Sequence, residues 1–378
     1  VFAVEELANK KGVLPDRYIR SLINCGHIFS ANPIESDQVQ PASLDLRLGP
    51  IAHRVRASFL ADPNGTIMER ISTYGMHEIN LAQGAVLEKG CVYVVPLQES
   101  LNLPAEIAAL ANAKSSTGRL DLLTRLITDH CTEFDRIKGG YSGPLYAEVC
   151  PKSFSVLVQE GISLNQIRFK LGKTQLAQSD FQFLQSHNNY NSATTDFNKG
   201  LLFSVDLELE RDIVGYRAKA HTGIVDLRKT NYHDHKQFWD PVYAENSELI
   251  LDPSSFYILT SREEVVIPPG FAAEMEPYLP MVGEFRVHYA GFFDPGFGHG
   301  GSHGKGSRGV LEVRCHEVPF LLVHGQNVGR LMFEKMLEPP QTPYGLKSHS
   351  NYQGRNLSYP STLKLKQIDS GCQCIHDF

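Results

Sequence analysis

At 378 residues, 42% of them apolar, the chain can bury a sizeable core but exceeds the usual size of one domain, so two domains are expected. A net charge of -6 excludes broad binding along a nucleic-acid backbone, which needs a basic face, and leaves only local basic pockets. Seven cysteines without framework spacing, an N-terminal stretch without a signal-peptide core and no long apolar run together predict a soluble, cytoplasmic protein with no membrane partner.

In chain order, Pro15 to Cys25 place Ile19, Leu22 and Ile23 on one helical face, with Asp16 in the first turn and Gly26 as a stop, which predicts a short helix. "PASLDLRLG" at Pro41 to Gly49 alternates Leu44, Leu46 and Leu48 against Ser43, Asp45 and Arg47, the period of a half-buried strand. Asp45 and Arg47 then share a face, and spacing alone favours a surface ion pair. From Cys91 onward short β-rich segments separated by Gly, Pro and polar turns predict an all-β barrel or sandwich. Ser115 to Ile127 is the exception: Leu120, Leu123, Leu126 and Ile127 recur at helical spacing after hydroxyl residues able to cap. Gln175 to Gly200, rich in Gln, Asn and Ser, is the expected linker or exposed loop.

Internal repetition supports that division. "YVVPLQESLNLPAEIAAL" from Tyr93 resembles "YILTSREEVVIPPGFAAE" from Tyr257, and the same offset of 164 residues takes Glu148 to Glu312 and Gly161 to Gly325. The prediction is a mainly β protein with a first domain over 1–175, a linker over 176–200 and a diverged second copy over 201–378.

Several chemistries are missing from the sequence. There is no zinc-deaminase signature, no Cys-x-x-Cys, no P-loop, no dinucleotide fingerprint and no G-x-S-x-G elbow. Cys372 and Cys374, and the histidines His233, His235, His299 and His303, are weak metal signals beside the reading of solvated loops. The stretch Lys114 to Val149 is richer: Ser115 and Ser116, then Arg119, then Arg136, a Gly-Gly-Tyr-Ser-Gly turn and Glu148. Arginine forks hold phosphate oxygens and a carboxylate moves protons, so the stretch suits an anionic, ring-bearing substrate. Spacing alone fits Ser115 and Ser116 equally to a phosphate seat and to an ordinary helix cap with a surface arginine. Glu148 is an acid/base candidate if its face turns inward and a solvated edge charge if outward.

These residues resemble a family. "GVLPDRYIRSLI", "PASLDLRLG", "SSTGR", "RIKGGYSGPLYAE" and "GISLNQIRF", in this order, are similar to the deoxycytidine triphosphate deaminases of the dUTPase-like superfamily. The resemblance implies two tandem dUTPase-like distorted β-barrels of the β-clip type with a few short helices. It places Ser115, Ser116 and Arg119 at the triphosphate and pyrimidine end of the site. It makes Arg136 an arginine contributed across a subunit interface, Tyr141 the aromatic residue beside the deoxyribose and Glu148 the catalytic carboxylate. The implied reaction is hydrolytic deamination of dCTP to dUTP and ammonia in pyrimidine deoxyribonucleotide (dUMP and dTTP) biosynthesis. Glu148 would be base and then acid while Ser115 helps to orient the water. Magnesium travels with the triphosphate and no zinc is expected. The implied partners are dCTP, with dTTP as a candidate inhibitor, and further copies of the chain in a homo-oligomer, with a trimer as the family assembly.

The sequence departs from that pattern at Lys138, where the family has Asp, which weakens a dUTP diphosphatase reading. The second copy keeps Asp294 in "FDPGF" and Glu312, but has Phe292 opposite Arg136 and no Ser-Ser-x-x-Arg, so a complete second site is not expected. The C-terminal "SNYQGR" resembles the family's closing tail and makes Lys347, Tyr352 and Gln353 candidate lid residues, in a composite site of first-copy chemistry and second-copy closure. The alternatives are dUTP diphosphatase activity, alone or after deamination, and a non-catalytic nucleotide-binding regulator.

Overall fold

In the computed structural model, residues 10–174, 176–187, 200–209, 213–230, 232–277, 285–287, 291–299, 306–315 and 317–345 are described. Lys347, Tyr352 and Gln353 lie outside them. Short runs rich in Val, Ile, Leu and aromatic residues, cut by Gly and Pro, form strands throughout, so the protein is mainly β with a few short helices. No helix among the described residues is long and apolar enough to cross a membrane.

The repeat is topological as well as sequential. In the first half one sheet runs through Leu44–Arg47, Ser163–Leu171, Ile107–Ala113 and Arg136–Ile137. A second runs through Gly75–Asn80, Ile51–Val55, Val92–Asn102, Ser142–Pro151 and Leu122–Thr128. The second half repeats the first order as Leu201–Ser204, Asn327–Lys335, Phe271–Pro277 and Phe292–Phe293. It repeats the second as Trp239–Tyr243, Ile213–Ala218, Phe256–Val265, Ser307–Cys315 and Phe285–Val287.

The two halves meet through equivalent strands. Lys170 and Glu334 hold the same place in the two copies, and Lys170 Nζ donates to Glu334 Oε1 at 2.6 Å. Val13 bridges Met336, and a Cβ at Gly12 would lie 2.5 Å from the Leu337 nitrogen, so only glycine permits this approach. The hydrophobic core of the first half also takes in Phe238, Trp239 and Phe256. Phe154 meets Trp239 edge-on with ring centroids 5.4 Å apart, a pair worth about 1 kcal/mol beyond the area it buries.

The helix Asp16–Asn24 forms as expected, with Ile19 and Leu22 buried. Three expectations are corrected. Ser115–Gly118 is a single turn, and the leucines beyond it lie on the strand Leu122–Thr128. Asp121, at φ 53, reverses the chain between them, and the strand's period is hidden because both of its faces are largely covered. Within the expected linker, Gln178–His187 is a helix that buries Leu184 in the second core, and Asp180 Oδ2 accepts from the Ala177 nitrogen at 2.8 Å. Its sparse apolar residues concealed it. Asp45 and Arg47 are buried and do not pair with each other: Arg47 Nε donates to Glu99 Oε1 at 2.8 Å, and Asp45 pairs with Lys114.

Candidate active site

The seam between the halves encloses a cavity of about 660 Å³. From the first half, the turn Ser115–Gly118 brings Ser115, Ser116 and Arg119 into its wall, beside Lys114, Asp45 and Arg20. From the second half the strand Ser307–Cys315 adds Arg308 and Glu312, and the turn after Phe292–Phe293 adds Asp294 and Phe297. Strand period two puts 308 and 312 on one face, which is why both reach the same space.

Electrostatics in the cavity are dominated by buried carboxyls. Glu312 is only 6% exposed, and burial pushes it well above the usual carboxylate range; Arg119 pulls it back and Asp121 adds to the rise. Burial likewise raises Asp294, against the pull of Arg168, whose Nη2 donates to Asp294 Oδ1 at 3.2 Å. Asp45 is raised by burial and opposed by Lys114, and its Oδ1 has no hydrogen-bond partner among the described residues. The Phe297 ring packs 5.1 Å from Phe293 and 5.9 Å from Tyr344, forming an aromatic wall. Hydroxyls, guanidinium groups, a flat apolar wall and a buried carboxyl whose proton affinity is raised suit a nucleotide whose base is to be attacked.

Residues 10–173 match the model for the 2′-deoxycytidine 5′-triphosphate deaminase (DCD) N-terminal domain, and residues 177–362 match the one for its C-terminal domain. The chain belongs to the dCTP deaminase family. The crystal structure of 2′-deoxycytidine 5′-triphosphate deaminase from Agrobacterium tumefaciens shares 52% identity and a TM-score of 0.82, covering 87% of this chain and 100% of that one. A dCTP deaminase of Natronomonas pharaonis is 29% identical over 43% of this chain and 79% of its own length. A dCTP deaminase, dUMP-forming, of Methanothermobacter thermautotrophicus is 28% identical over 43% of this chain and 78% of its own. These likenesses agree with the dUTPase-like β fold.

Within this dCTP deaminase-family chain, the residues expected to act together fall in three places. Ser115, Ser116 and Arg119 line the seam cavity. Arg136 and Tyr141 line a separate cleft of about 1110 Å³ with His130, Lys170 and Glu274. There the Arg136 guanidinium is exposed, 3.5 Å from Glu133, and the Tyr141 hydroxyl donates to the Pro144 carbonyl at 2.6 Å. Glu148 lines neither space. It is buried, and its Oε1 accepts from Arg125 Nη2 at 2.5 Å and Nε at 3.1 Å. Within one chain Glu148 does not share a cavity with Ser115 and Arg119; the carboxylate that lines their cavity is its second-copy counterpart, Glu312. The 164-residue offset pointed to Glu312 and "FDPGF" to Asp294, but nothing in the sequence signalled Arg168 as the support of the second-copy turn.

Proposed function

We propose that the seam cavity deaminates dCTP, with Glu312 as its proton carrier. Glu312 takes a proton from water as the water oxygen adds to C4 of the cytosine ring, and passes that proton to N3. It then moves the second water proton to the amino group, and the C4–N bond breaks to release ammonia and leave a C4 carbonyl. Atoms balance as dCTP plus water giving dUTP plus ammonia. Ser115 orients the water, Arg119 holds charge beside the reacting ring, and Phe297, the second-copy counterpart of Tyr141, gives the deoxyribose a face to pack on. Ser116, Lys114 and Arg20 take the phosphate end, which arrives with its own magnesium as part of the substrate. On this reading one chain completes a site, and Arg136 of another chain is not needed for it.

The observation that carries this reading is the placement of Glu312 in one cavity with Ser115 and Arg119. Glu312→Gln should lower ammonia release from magnesium dCTP by about 10³-fold. Glu148→Gln, if folded, should stay within about tenfold of the parent, because its partner is Arg125. The reverse pattern would overturn the assignment.

The proposed product is dUTP, because the carboxylate that would guide water to the phosphates, Asp294, is held by Arg168. Relatives named dUMP-forming favour a second reading, in which deamination is followed by loss of pyrophosphate. Pyrophosphate appearing in step with ammonia would select the second, and retained triphosphate the first.

A further inference from the structure

Two residues beyond Arg119 the first half carries Asp121, and two beyond Glu312 the second half carries Arg314. Arg314 grips Asp121 with its fork: Nη2 bonds Oδ2, and Nε lies 3.4 Å from Oδ1. The same guanidinium donates to the Ser254 carbonyl at 2.6 Å and to Ser153 Oγ at 3.2 Å, and Ser153 Oγ donates to Asp121 Oδ2 at 2.6 Å. Asp121 is 1% exposed, and its backbone amide and carbonyl are tied to Gly118 and Lys152. The charge order is reciprocal, positive then negative on one side of the seam and negative then positive on the other. The first copy carries no such arrangement around Glu148, since Cys150 stands where Arg314 does.

We propose that Asp121 and Arg314 are a positioning couple for the reaction: locked together across the seam, they hold Arg119 opposite Glu312 and set the charge that Glu312 meets. The inference rests on Glu312 as the proton carrier. The groups acting most directly on Glu312 are Arg119 and Asp121 from the facing turn, with Arg314 two residues along its own strand. Arg308 lies four residues earlier on that strand, and Asp294, Asp45 and Lys114 stand further round the cavity. A bidentate ion pair this well buried is a rigid strut, while either partner alone would leave a net charge beside the acid.

The test is the pH profile of kcat/KM for dCTP with the full chain, whose acid limb reports the deprotonation of Glu312. Asp121→Asn keeps a side chain that can bond Ser153 and tolerates the left-handed backbone, so it removes charge with little else. It takes away a negative neighbour and leaves Arg314 uncompensated, and the limb should move down by roughly 0.5–1 pH unit. Arg314→Gln leaves Asp121 uncompensated and should move the limb up by a similar amount. The double variant should return towards the parental limb, and Arg314→Lys should hold it. Limbs that stay in place, or move the same way in both single variants, would overturn the couple even if melting temperatures fall. Parental ammonia release from Glu312→Gln would instead defeat the reading on which it rests.

Discussion

Arg168, wholly buried in the first half, reaches across the seam to Asp294 in the second at 3.2 Å. Its other contacts belong to the second half too: Nη1 donates to the Ala273 carbonyl at 3.0 Å, and the guanidinium carbon lies 4.0 Å over the Phe292 ring. One side chain thus fixes the turn that carries Asp294 and Phe297 into the cavity.

Removing that arginine strands a mostly buried carboxyl. Arg168→Met should cost about 3–5 kcal/mol, since breaking one side of a buried pair leaves the other without compensation. Urea unfolding should show the loss as a lower midpoint, and Arg168→Met combined with Asp294→Asn should recover part of it. A midpoint unmoved by the single change would show that the seam does not depend on this contact.

Asp135 offers a pH signature. Burial pushes its carboxyl up to about 7, against the Leu126 amide that donates to Oδ1 at 2.7 Å and the nearby Arg125; Glu148 adds to the rise. The folded state therefore keeps a proton that the unfolded chain releases near pH 4, so stability falls as pH rises from about 4 to about 7 and is level beyond. Asp135→Asn keeps the acceptor for Leu126 and suits the left-handed backbone at φ 64, so it should flatten that fall. Thermal unfolding at pH 5 and pH 8 should show the variant's gain on the parent larger by roughly 1–3 kcal/mol at the higher pH. Equal differences at both would rule out the titration.

Gly296 links the site turn to the last described segment. Its φ is +100, and a Cβ there would come within 2.7 Å of the Tyr344 carbonyl oxygen. Gly296→Ala should cost about 1–3 kcal/mol in backbone strain and push the turn from Tyr344, displacing Phe297. Steady-state kinetics should then give a KM for dCTP raised about tenfold, which corresponds to about 1.4 kcal/mol of binding. A parental KM in a variant whose stability has fallen would remove Phe297 from the binding wall.

What the sequence determined by itself was local. Leucine alternation around Leu44, helical spacing from Ile19 to Leu22 and one fixed offset were enough for β-rich halves of common topology and for a short opening helix, because the pattern of burial along a strand or helix is written in its own residues. Where both faces were covered, as at Leu122–Thr128, or few residues were apolar, as at Gln178–His187, that pattern carried less and the element was misread. The tertiary structure alone decided which copy of a duplicated carboxylate meets Ser115 and Arg119. Glu148 and Glu312 each open a Glu-Val pair at the same place in the repeat, and that pair does not tell them apart; contacts between distant residues, such as Val13 with Met336 and Lys170 with Glu334, set the packing that places Glu312 at the cavity and leaves Glu148 against Arg125.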